Sequence, residues 1–332
     1  MSDADTAGDA SGDASGAAAT GAALDALLDL LDVRPAPSGI PSGIPAGAAA
    51  QTFTGAGAGH DEYGLYGGHT MGQAVVAASR TVGDERRLNS LHAYFLRGGD
   101  GTAPVDYAVE TVRDGRAFAT RRVRATQRPA GDRAGGEAAG EAAAGEAGRR
   151  IIELAASFHT PETGSAEMSV PAPAGLADPE TLPTFHECIA EVGPIFGEHW
   201  SNDPRPVDYR LAHAPWAPSG PSERGGIDFW FRAPHRMPDD PVMHAAVLVY
   251  MSDDCIADNV TVPYGRTWGS PGTHVVSLDH AMWVHRPVRV DEWVYVEQWP
   301  LVATGARGTS EARFWQDGRL VATALQEALA RF

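Results

Sequence analysis

Apolar and polar residues follow regular patterns along two long stretches of the chain, and the first stretch predicts helices followed by strands. An amphipathic helix over 22–33 and a short strand at 51–54 precede a helix over 67–82. The residues of this last helix are small and apolar along its whole length, as expected for a helix buried on most sides. Alternating apolar residues then predict four strands, over 88–96, 105–113, 117–127 and 151–158.

The second stretch repeats this order. A helix is predicted over 240–254, followed by strands over 273–284, 292–301, 306–316 and 320–330. The chain therefore has the pattern of an internal duplication. The carboxylate of Asp253, at the end of the second helix, has only Ala78 or Ser79 as its counterpart in the first. We therefore expect the chemistry in the second repeat, with the first contributing walls and rigidity.

Three segments lack such a pattern. Residues 1–21 are mainly Ala, Gly, Asp, Ser and Thr, which cannot bury enough apolar surface to offset chain entropy, so we predict a disordered tail. Residues 128–148 form a low-complexity insertion rich in Ala, Gly and Glu. Residues 160–225 are rich in proline and are predicted to connect the first repeat, 22–159, to the second, 226–332.

The composition limits the possible functions. With 332 residues, of which 43% are hydrophobic, the chain can form two domains of ordinary size. Its formal net charge of −17 argues against a nucleic-acid partner, which requires a basic surface. Its two cysteines, Cys188 and Cys255, provide neither a disulfide framework nor a zinc ligand set. Since we find no signal peptide and no bilayer-spanning run, we expect a cytoplasmic protein without a membrane partner.

The strand-like run 275–286 concentrates polar groups that a structural strand does not need. In a pleated strand, Ser277 and Asp279 would share one face, while His280 would lie on the other. The carboxylate, two imidazoles and guanidinium of this run raise the possibility of a metal site. A zinc site would need three or four ligands with supporting hydrogen bonds, and no Glu-x-x-His or cysteine pair accompanies them. Structural hydrogen bonding is therefore the better interpretation.

Four motifs occur in order in the second half: Tyr-x-Ser-Asp at 250–253, Asp-His-x-Met-Trp-x-His-Arg at 279–286, Asp-Glu-Trp at 291–293, and Gln-Asp-Gly-x-Leu-Val-Ala followed by Gln-Glu within 316–327. With this order and spacing, the chain resembles the acyl-CoA thioesterase II (TesB-like) family. The resemblance implies an α+β fold, a tandem (double) hotdog in which two long helices are each wrapped by a curved antiparallel sheet. It also implies hydrolysis of acyl-CoA to a free carboxylate and CoA, in fatty acid metabolism.

The resemblance also suggests catalytic residues. Asp253 matches the family's aspartate that helps to activate water; a solvated helix end is the simpler alternative, although a carboxylate is unfavourable there. Ser277 stands where the family more often has threonine, and is otherwise an ordinary strand hydroxyl. Gln326 lies in an apolar strand, where a buried amide needs hydrogen-bond partners. A core glutamine with satisfied hydrogen bonds is the alternative interpretation. We expect Asp253 to act as general base, while Ser277 and Gln326 orient the water.

Four further residues are candidates for substrate binding. Gly67 and Gly68 begin the first buried helix, where backbone amides can face an anionic oxygen. Tight helix packing explains these glycines equally well. We also assign Asp279 and His280 to substrate binding. We expect neither a metal nor an organic cofactor.

Two other functions compete with hydrolysis. An enoyl-CoA hydratase of the same superfamily would need a histidine five positions after the catalytic aspartate, where this chain has Asp258. A non-hydrolytic acyl-CoA or acyl-thioester binding protein is the stronger alternative, and it would release no free thiol from acyl-CoA. For either function, the outer sheet edges and faces favour a homodimer or larger homo-oligomer.

Overall fold

The computed structural model describes residues 10–36, 50–58, 64–128, 148–163, 166–192 and 203–332. Almost all of the predicted insertion at 128–148 lies outside the described residues, and so does the first part of the predicted tail, residues 1–9. No described helix combines the length and the hydropathy that crossing a bilayer requires.

The first half of the chain supplies two helices and six strands. In chain order, these are α1 (Ala10–Leu31), β1 (Arg34–Pro35), β2 (Ala50–Gly55), α2 (Gly67–Ser79), β3 (Arg87–Phe95), β4 (Val105–Asp114), β5 (Phe118–Gln127) and β6 (Arg149–His159). Helix α2 is the buried helix that the small apolar residues predict, and the strands of predicted alternation follow it in order.

The described residues of the second half form two further α-helices and seven strands, beside the short 3-10 helices Pro179–Thr181, Asp258–Val260 and Val262–Tyr264. The α-helices and strands are α3 (Phe185–Val192), β7 (Asp208–His213), β8 (Asp228–Arg232), α4 (Pro241–Ser252), β9 (His274–Ser277), β10 (Asp279–Val284), β11 (Val294–Thr304), β12 (Arg307–Gln316) and β13 (Arg319–Arg331). Helix α4 is buried along most of its length, as α2 is. The elements after α4 follow the same order as those after α2.

The described strands form one antiparallel sheet with two halves of matching order. Twelve strands run β1-β2-β4-β5-β6-β3-β10-β13-β12-β11-β8-β7, and β9 pairs with β13. The halves meet at β3 and β10, where His92 lies opposite Ala281. Moving outward from this pair, β6 corresponds to β13, β5 to β12, β4 to β11 and β2 to β8. The two halves of the sheet therefore share one order of strands.

The two buried helices run antiparallel and lie side by side. A Cβ atom at Gly72 would lie 3.3 Å from the Ala246 carbonyl oxygen, and one at Gly68 would lie 2.3 Å from the Tyr250 carbonyl oxygen. Positions further along α2 thus meet positions earlier in α4. As a result, the N-terminus of α2 lies against the C-terminus of α4, at the place where the second repeat was predicted to carry its chemistry.

Helix α1 corrects the prediction for the N-terminal segment. It begins at Ala10, so the prediction of a disordered tail is wrong for residues 10–21, and the helix predicted over 22–33 is the end of a longer one. Alanine is the strongest helix former and extends a helix that is anchored elsewhere. The anchor is a row of buried leucines at helical spacing, namely Leu24, Leu27 and Leu31.

The predicted connector contains structure that its irregular sequence does not show. Helix α3 and strand β7 lie within it, and β7 pairs with β8 so that Tyr209 is opposite Phe231. Only two apolar side chains of β7, Tyr209 and Leu211, are buried. Such a short alternation is too weak to predict a strand from the sequence.

The strand predicted over 273–284 is two strands. Ser277 lies opposite Ala328 on β13, whereas Ala281 lies opposite Leu325. One extra residue is therefore accommodated between β9 and β10, as in a β-bulge. A bulge changes which side chains share a face, and this one lies within the candidate site.

Candidate active site

The first group of the site is Asp253, which directly follows α4. Its side chain is buried at the C-terminal end of that helix, where a carboxylate is unfavourable for the helix dipole. The N-terminus of α2 lies beside it, and the Gly68 N–H donates to Asp253 Oδ2 across 2.8 Å. An acidic side chain of one buried helix is thus stabilised by the amide end of the other.

Gly67 and Gly68 make this close approach possible because neither carries a side chain. A Cβ atom at Gly67 would lie 2.6 Å from Asp253 Oδ2 and 2.9 Å from the Phe95 ring, and one at Gly68 would lie 2.3 Å from the Tyr250 carbonyl oxygen. Both interpretations of the glycines therefore apply, since the packing is tight and the Gly68 amide meets an anionic oxygen. That oxygen belongs to Asp253. Contact of the glycines with a substrate stays a prediction.

Gln326, buried on β13, links the other polar groups of the site. Its Nε2 donates to Ser277 Oγ across 2.8 Å, and its Oε1 accepts from Nδ1 of His280. A regular strand would direct Ser277 and His280 to opposite faces. The extra residue between β9 and β10 brings both to Gln326, so the prediction that they lie on opposite faces is wrong.

His280 is fully buried beside Gln326. Burial lowers the pKa of His280, although the nearby Asp253 carboxylate acts in the opposite direction. Its proton lies on Nδ1, which donates to Gln326 Oε1. Nε2 lies 3.0 Å from Ser252 Oγ, and the Ser252 hydroxyl donates to the Val249 carbonyl oxygen across 2.8 Å. Both ring nitrogens are therefore engaged in holding Gln326 and the end of α4.

The surroundings of Asp253 keep its proton affinity high. Burial raises the pKa of Asp253 above its ordinary value, and Asp254 adds to this rise; His280, the Gln326 side chain and the Gly68 amide oppose it. Asp253 Oδ1 is buried and accepts no hydrogen bond of normal geometry from any residue that the structure describes. One oxygen of the carboxylate is thus fixed, and the other is available to accept a proton.

Asp279 acts on the backbone beside Gln326. Its Oδ1 accepts from the N–H of Glu327 across 2.9 Å, at the irregular junction of β9 and β10 with β13. Because Glu327 follows Gln326 directly, this bond fixes the position of the buried amide. The structure thus joins Asp279 to the backbone of Glu327 and His280 to the side chain of Gln326, and the assignment of both to substrate binding stays a prediction.

The polar groups at the far end of β10 make structural hydrogen bonds. His285 Nε2 lies 3.0 Å from Thr323 Oγ1, and Arg286 Nη1 donates to the Leu320 carbonyl oxygen across 2.8 Å. Both therefore attach β10 to β13. They do not join the group formed by Ser277, His280 and Gln326.

Two residues of the site were missed by sequence reasoning. Ser252 belongs to the Tyr-x-Ser-Asp motif, so the motif itself could have indicated it. Tyr66 donates from its hydroxyl to the Tyr250 carbonyl oxygen across 2.9 Å, and the two rings pack edge to face at 5.0 Å. This contact closes the N-terminus of α2 onto the C-terminus of α4. Tyr250 is 184 residues from Tyr66 in the chain, so no local sequence pattern predicts this contact.

The arrangement of helices and sheet defines the fold class. The structure is similar to that of a conserved protein with a hot dog fold from Alicyclobacillus acidocaldarius, with a TM-score of 0.64. The two are 15% identical, and the match covers 92% of this chain and 98% of the other. The protein therefore has a hotdog fold.

Sequence relatives define the family. Residues 223–329 match the acyl-CoA thioesterase family, and residues 58–145 match the acyl-CoA thioesterase N-terminal domain. The chain is 32% identical to acyl-coenzyme A thioesterase 8 of Homo sapiens over 281 residues, with 80% of each chain covered. A crystal structure of acyl-CoA thioesterase II TesB2 from Mycobacterium marinum matches with a TM-score of 0.66 and 29% identity, over 92% of this chain and 97% of the other. The protein belongs to the acyl-CoA thioesterase family, which confirms the resemblance and the prediction of a thioester hydrolase.

Proposed function

We propose that the protein hydrolyses acyl-CoA with a water molecule that Asp253, Ser277 and Gln326 hold and activate. The family supports the reaction, and one observation carries the assignment of the base. The buried Asp253 carboxylate is fixed through Oδ2 to the Gly68 amide, while Oδ1 accepts no hydrogen bond of normal geometry from the described residues; the nearby Gln326 side chain acts to lower the pKa of Asp253. A fixed carboxylate with one open acceptor oxygen suits general-base catalysis.

Ser277 and Gln326 orient the water. Ser277 Oγ accepts from Gln326 Nε2, so the hydroxyl keeps its own hydrogen and a second lone pair for the water. The amide itself is held because its Oε1 accepts from His280. Asp279 and His280 would then serve the substrate indirectly, by holding Gln326 in place.

The proposed step starts with a proton transfer from water to Asp253 Oδ1. The water oxygen forms a bond to the thioester carbonyl carbon, and a tetrahedral intermediate results. The carbon–sulfur bond then breaks, and the departing CoA thiolate takes up the proton that Asp253 received, which regenerates the base. The acyl group leaves as a carboxylic acid and becomes a carboxylate by losing its remaining proton to solvent. This step needs no residue to change its covalent state.

Attack by Ser277 itself is disfavoured by the geometry. A serine nucleophile needs a base that removes its proton. The nearest imidazole, His280, has Nδ1 bonded to Gln326 and Nε2 bonded to Ser252. Ser277 therefore lacks the adjacent base of a serine hydrolase, and water is the better nucleophile.

The N-terminus of α2 is the proposed site for the thioester carbonyl oxygen. Helix amides and the helix dipole favour a developing negative charge there. The Gly68 amide is already bonded to Asp253, so Gly67 is the remaining glycine for this role. A small cavity of about 20 Å³ lies beside Gly67, Thr70 and Phe95 and has the size of a single water molecule.

We also propose that the chain is a tandem hotdog in the cytoplasm that forms a homodimer or larger homo-oligomer. The matching strand order on either side of β3 and β10 supports the tandem arrangement. Strands β1 and β7 end the two sides of the sheet and offer edges for association. Sedimentation at micromolar concentration tests the assembly, and a species of 34.9 kDa alone would contradict it.

The release of free thiol from acyl-CoA tests the function. Purified full-length protein, incubated with acyl-CoA of short, medium and long chain, is expected to release CoA thiol and carboxylate in equal amounts. Binding of acyl-CoA without thiol release at any chain length would contradict hydrolysis and favour the acyl-binding alternative.

A further inference from the structure

A second buried carboxylate, Asp254, directly follows the proposed base. Asp253 and Asp254 are only 9% and 5% exposed. Neighbouring carboxylates in a buried site disfavour each other's ionised form. In agreement with this, Asp254 adds to the rise that burial produces in the pKa of Asp253. A base that works near neutral pH therefore needs a group that offsets the charge of Asp254.

Arg205 is such a group. Its Nη2 donates to Asp254 Oδ2, in an ion pair between side chains that are 10% and 6% exposed. The guanidinium carbon lies 4.5 Å from the ring centroid of Phe185 and 4.9 Å from that of Tyr209. Burial acts to lower the pKa of Arg205, but the acidic groups around it, Asp254 first among them, together raise this pKa above its ordinary value, so the guanidinium stays charged.

Asp254 also accepts hydrogen bonds from residues other than Arg205. Cys255 Sγ donates to Asp254 Oδ1 across 3.3 Å. Gln298 Nε2 donates to the backbone oxygen of Asp254 across 2.9 Å, and Asn259 Nδ2 donates to Gln298 Oε1 across 3.0 Å. Asp254 therefore keeps a fixed position between the connector and β11, and its charge acts on Asp253 from a constant distance.

The other titratable groups around the two carboxylates do not replace Arg205. Burial raises the pKa of the tyrosines and the thiol, so all of these are neutral near pH 7: Tyr66, Tyr209, Tyr250 and Cys255. Burial lowers the pKa of His280, whose ring nitrogens contact Gln326 and Ser252 and not Asp254. Burial also raises the pKa of Asp258, to about 7, and Asp279 accepts a backbone N–H of β13. The remaining charges are thus negative, and Arg205 is the permanent cation that offsets them.

We propose that Arg205, carried by the connector between the two repeats, is a positioning residue that keeps Asp253 ionised by neutralising Asp254. This inference rests on the proposed role of Asp253 as base. The connector then has a function beyond joining the repeats, because it supplies the countercharge that the active site lacks. Without Arg205, Asp253 would retain its proton to higher pH, and less of the enzyme would be in the active form.

Three full-length variants test this inference: Arg205→Met, Asp254→Asn and the double variant. The titration of Asp253 is followed in two ways, by ¹³C NMR of its carboxyl group and by the acidic limb of kcat/KM. The Asp253 carboxyl signal is assigned because it is missing from the spectrum of Asp253→Asn. In Arg205→Met both midpoints should rise by roughly one pH unit, since a buried carboxylate is then uncompensated. In Asp254→Asn they should fall, because Arg205 then acts on Asp253 alone. In the double variant they should return close to the wild-type values.

The double variant separates charge from packing. If Arg205 only fills space, the double variant should behave like Arg205→Met, and that result would overturn the inference. Should Arg205→Met fail to fold, the fall in Asp254→Asn and the recovery in the double variant decide the question. The NMR titration needs no turnover, so an inactive wild-type protein would contradict the proposed function without removing this test. An Asp253 midpoint that is the same in all folded variants would also overturn the inference.

Discussion

The two ends of the α2–α4 pair use charged residues in opposite ways. At one end, α4 finishes with Asp253, a carboxylate that opposes its own helix dipole and is held by the Gly68 amide of α2. At the other end, α2 is closed by the buried Arg121, which donates to the hydroxyl and to the carbonyl oxygen of Thr81, each across 2.7 Å. A cation at a helix C-terminus is favourable. The first end holds the proposed base, whereas the second stabilises the fold.

The helix N-termini show the same difference. Helix α4 is capped by its own Asp240, whose carboxylate accepts from the Val242 N–H across 2.8 Å. Helix α2 begins after Tyr66 with no side-chain cap, and its Gly68 amide binds Asp253 instead. Strand β13 carries the buried Gln326, while the corresponding β6 has no amide side chain. The two halves of the sheet thus share an order of strands, while a few residues distinguish the end that carries the proposed base from the structural end.

The largest expected effect of a single change is at Asp253. Asp253→Asn keeps the size and the bond from Gly68 but removes proton acceptance, so kcat should fall on the order of 10²–10⁴-fold. Thiol release measured at saturating acyl-CoA checks this. Ser79→Ala, at the corresponding position of α2, is the matched control and should retain activity. Equal losses in the two variants would remove the distinction between the ends.

Arg121 should affect stability instead of catalysis. Arg121→Met leaves the Thr81 oxygens without their donor and removes the ion pair with Asp114, so unfolding free energy should fall by about 2–4 kcal/mol. Urea denaturation measures this loss. The turnover of the folded fraction should stay at the wild-type rate. A specific loss of turnover with unchanged stability would show that the structural end also takes part in catalysis.

The groups that orient the water should have intermediate effects. Gln326→Ala and Ser277→Ala each remove a hydrogen-bonding group, and turnover should fall by roughly 10- to 100-fold. Because both groups serve one water, the double variant should lose less than the product of the single losses. Turnover rates of the wild type, the two single variants and the double variant, measured with one acyl-CoA, give the coupling between Ser277 and Gln326. Strictly multiplicative losses would argue that the two side chains act independently.

The smallest effect is expected for Ser277→Thr. Threonine keeps the hydroxyl that accepts from Gln326 and restricts its rotation, so activity should be retained or rise by roughly twofold. Steady-state kinetics beside Ser277→Ala measure the difference. A loss as large as that of Ser277→Ala would mean that the site has no room for the methyl group.

Much of the fold was predictable because its signals are local. The small apolar residues of α2 and the alternation in β3 to β6 and in β11 to β13 indicate buried helices and strands directly. Asp253, Ser277 and Gln326 were identified from motif resemblance, and the structure places Ser277 and Gln326 in direct contact. The family was predicted from the same motifs and is confirmed by the relatives of the chain.

The remaining features depend on contacts between distant residues. The bulge that brings Ser277 and His280 to one amide arises from pairing with β13, and the alternation of the strand itself does not contain it. Likewise, Arg205 lies in an irregular connector, and its ion pair with Asp254 spans 49 residues. Helix α1 was predicted too short because its alanine-rich beginning has no apolar period, although the buried leucines at its end anchor it.

The pH dependence of kcat/KM tests most directly whether ionised Asp253 is the base. Burial raises the pKa of Asp253, and only the ionised form accepts a proton from water, so the rate should rise with pH through a midpoint above the ordinary value of about 4 for an aspartate. This acidic limb should be absent from the residual activity of Asp253→Asn. An identical acidic limb in Asp253→Asn, with turnover close to wild type, would contradict the account.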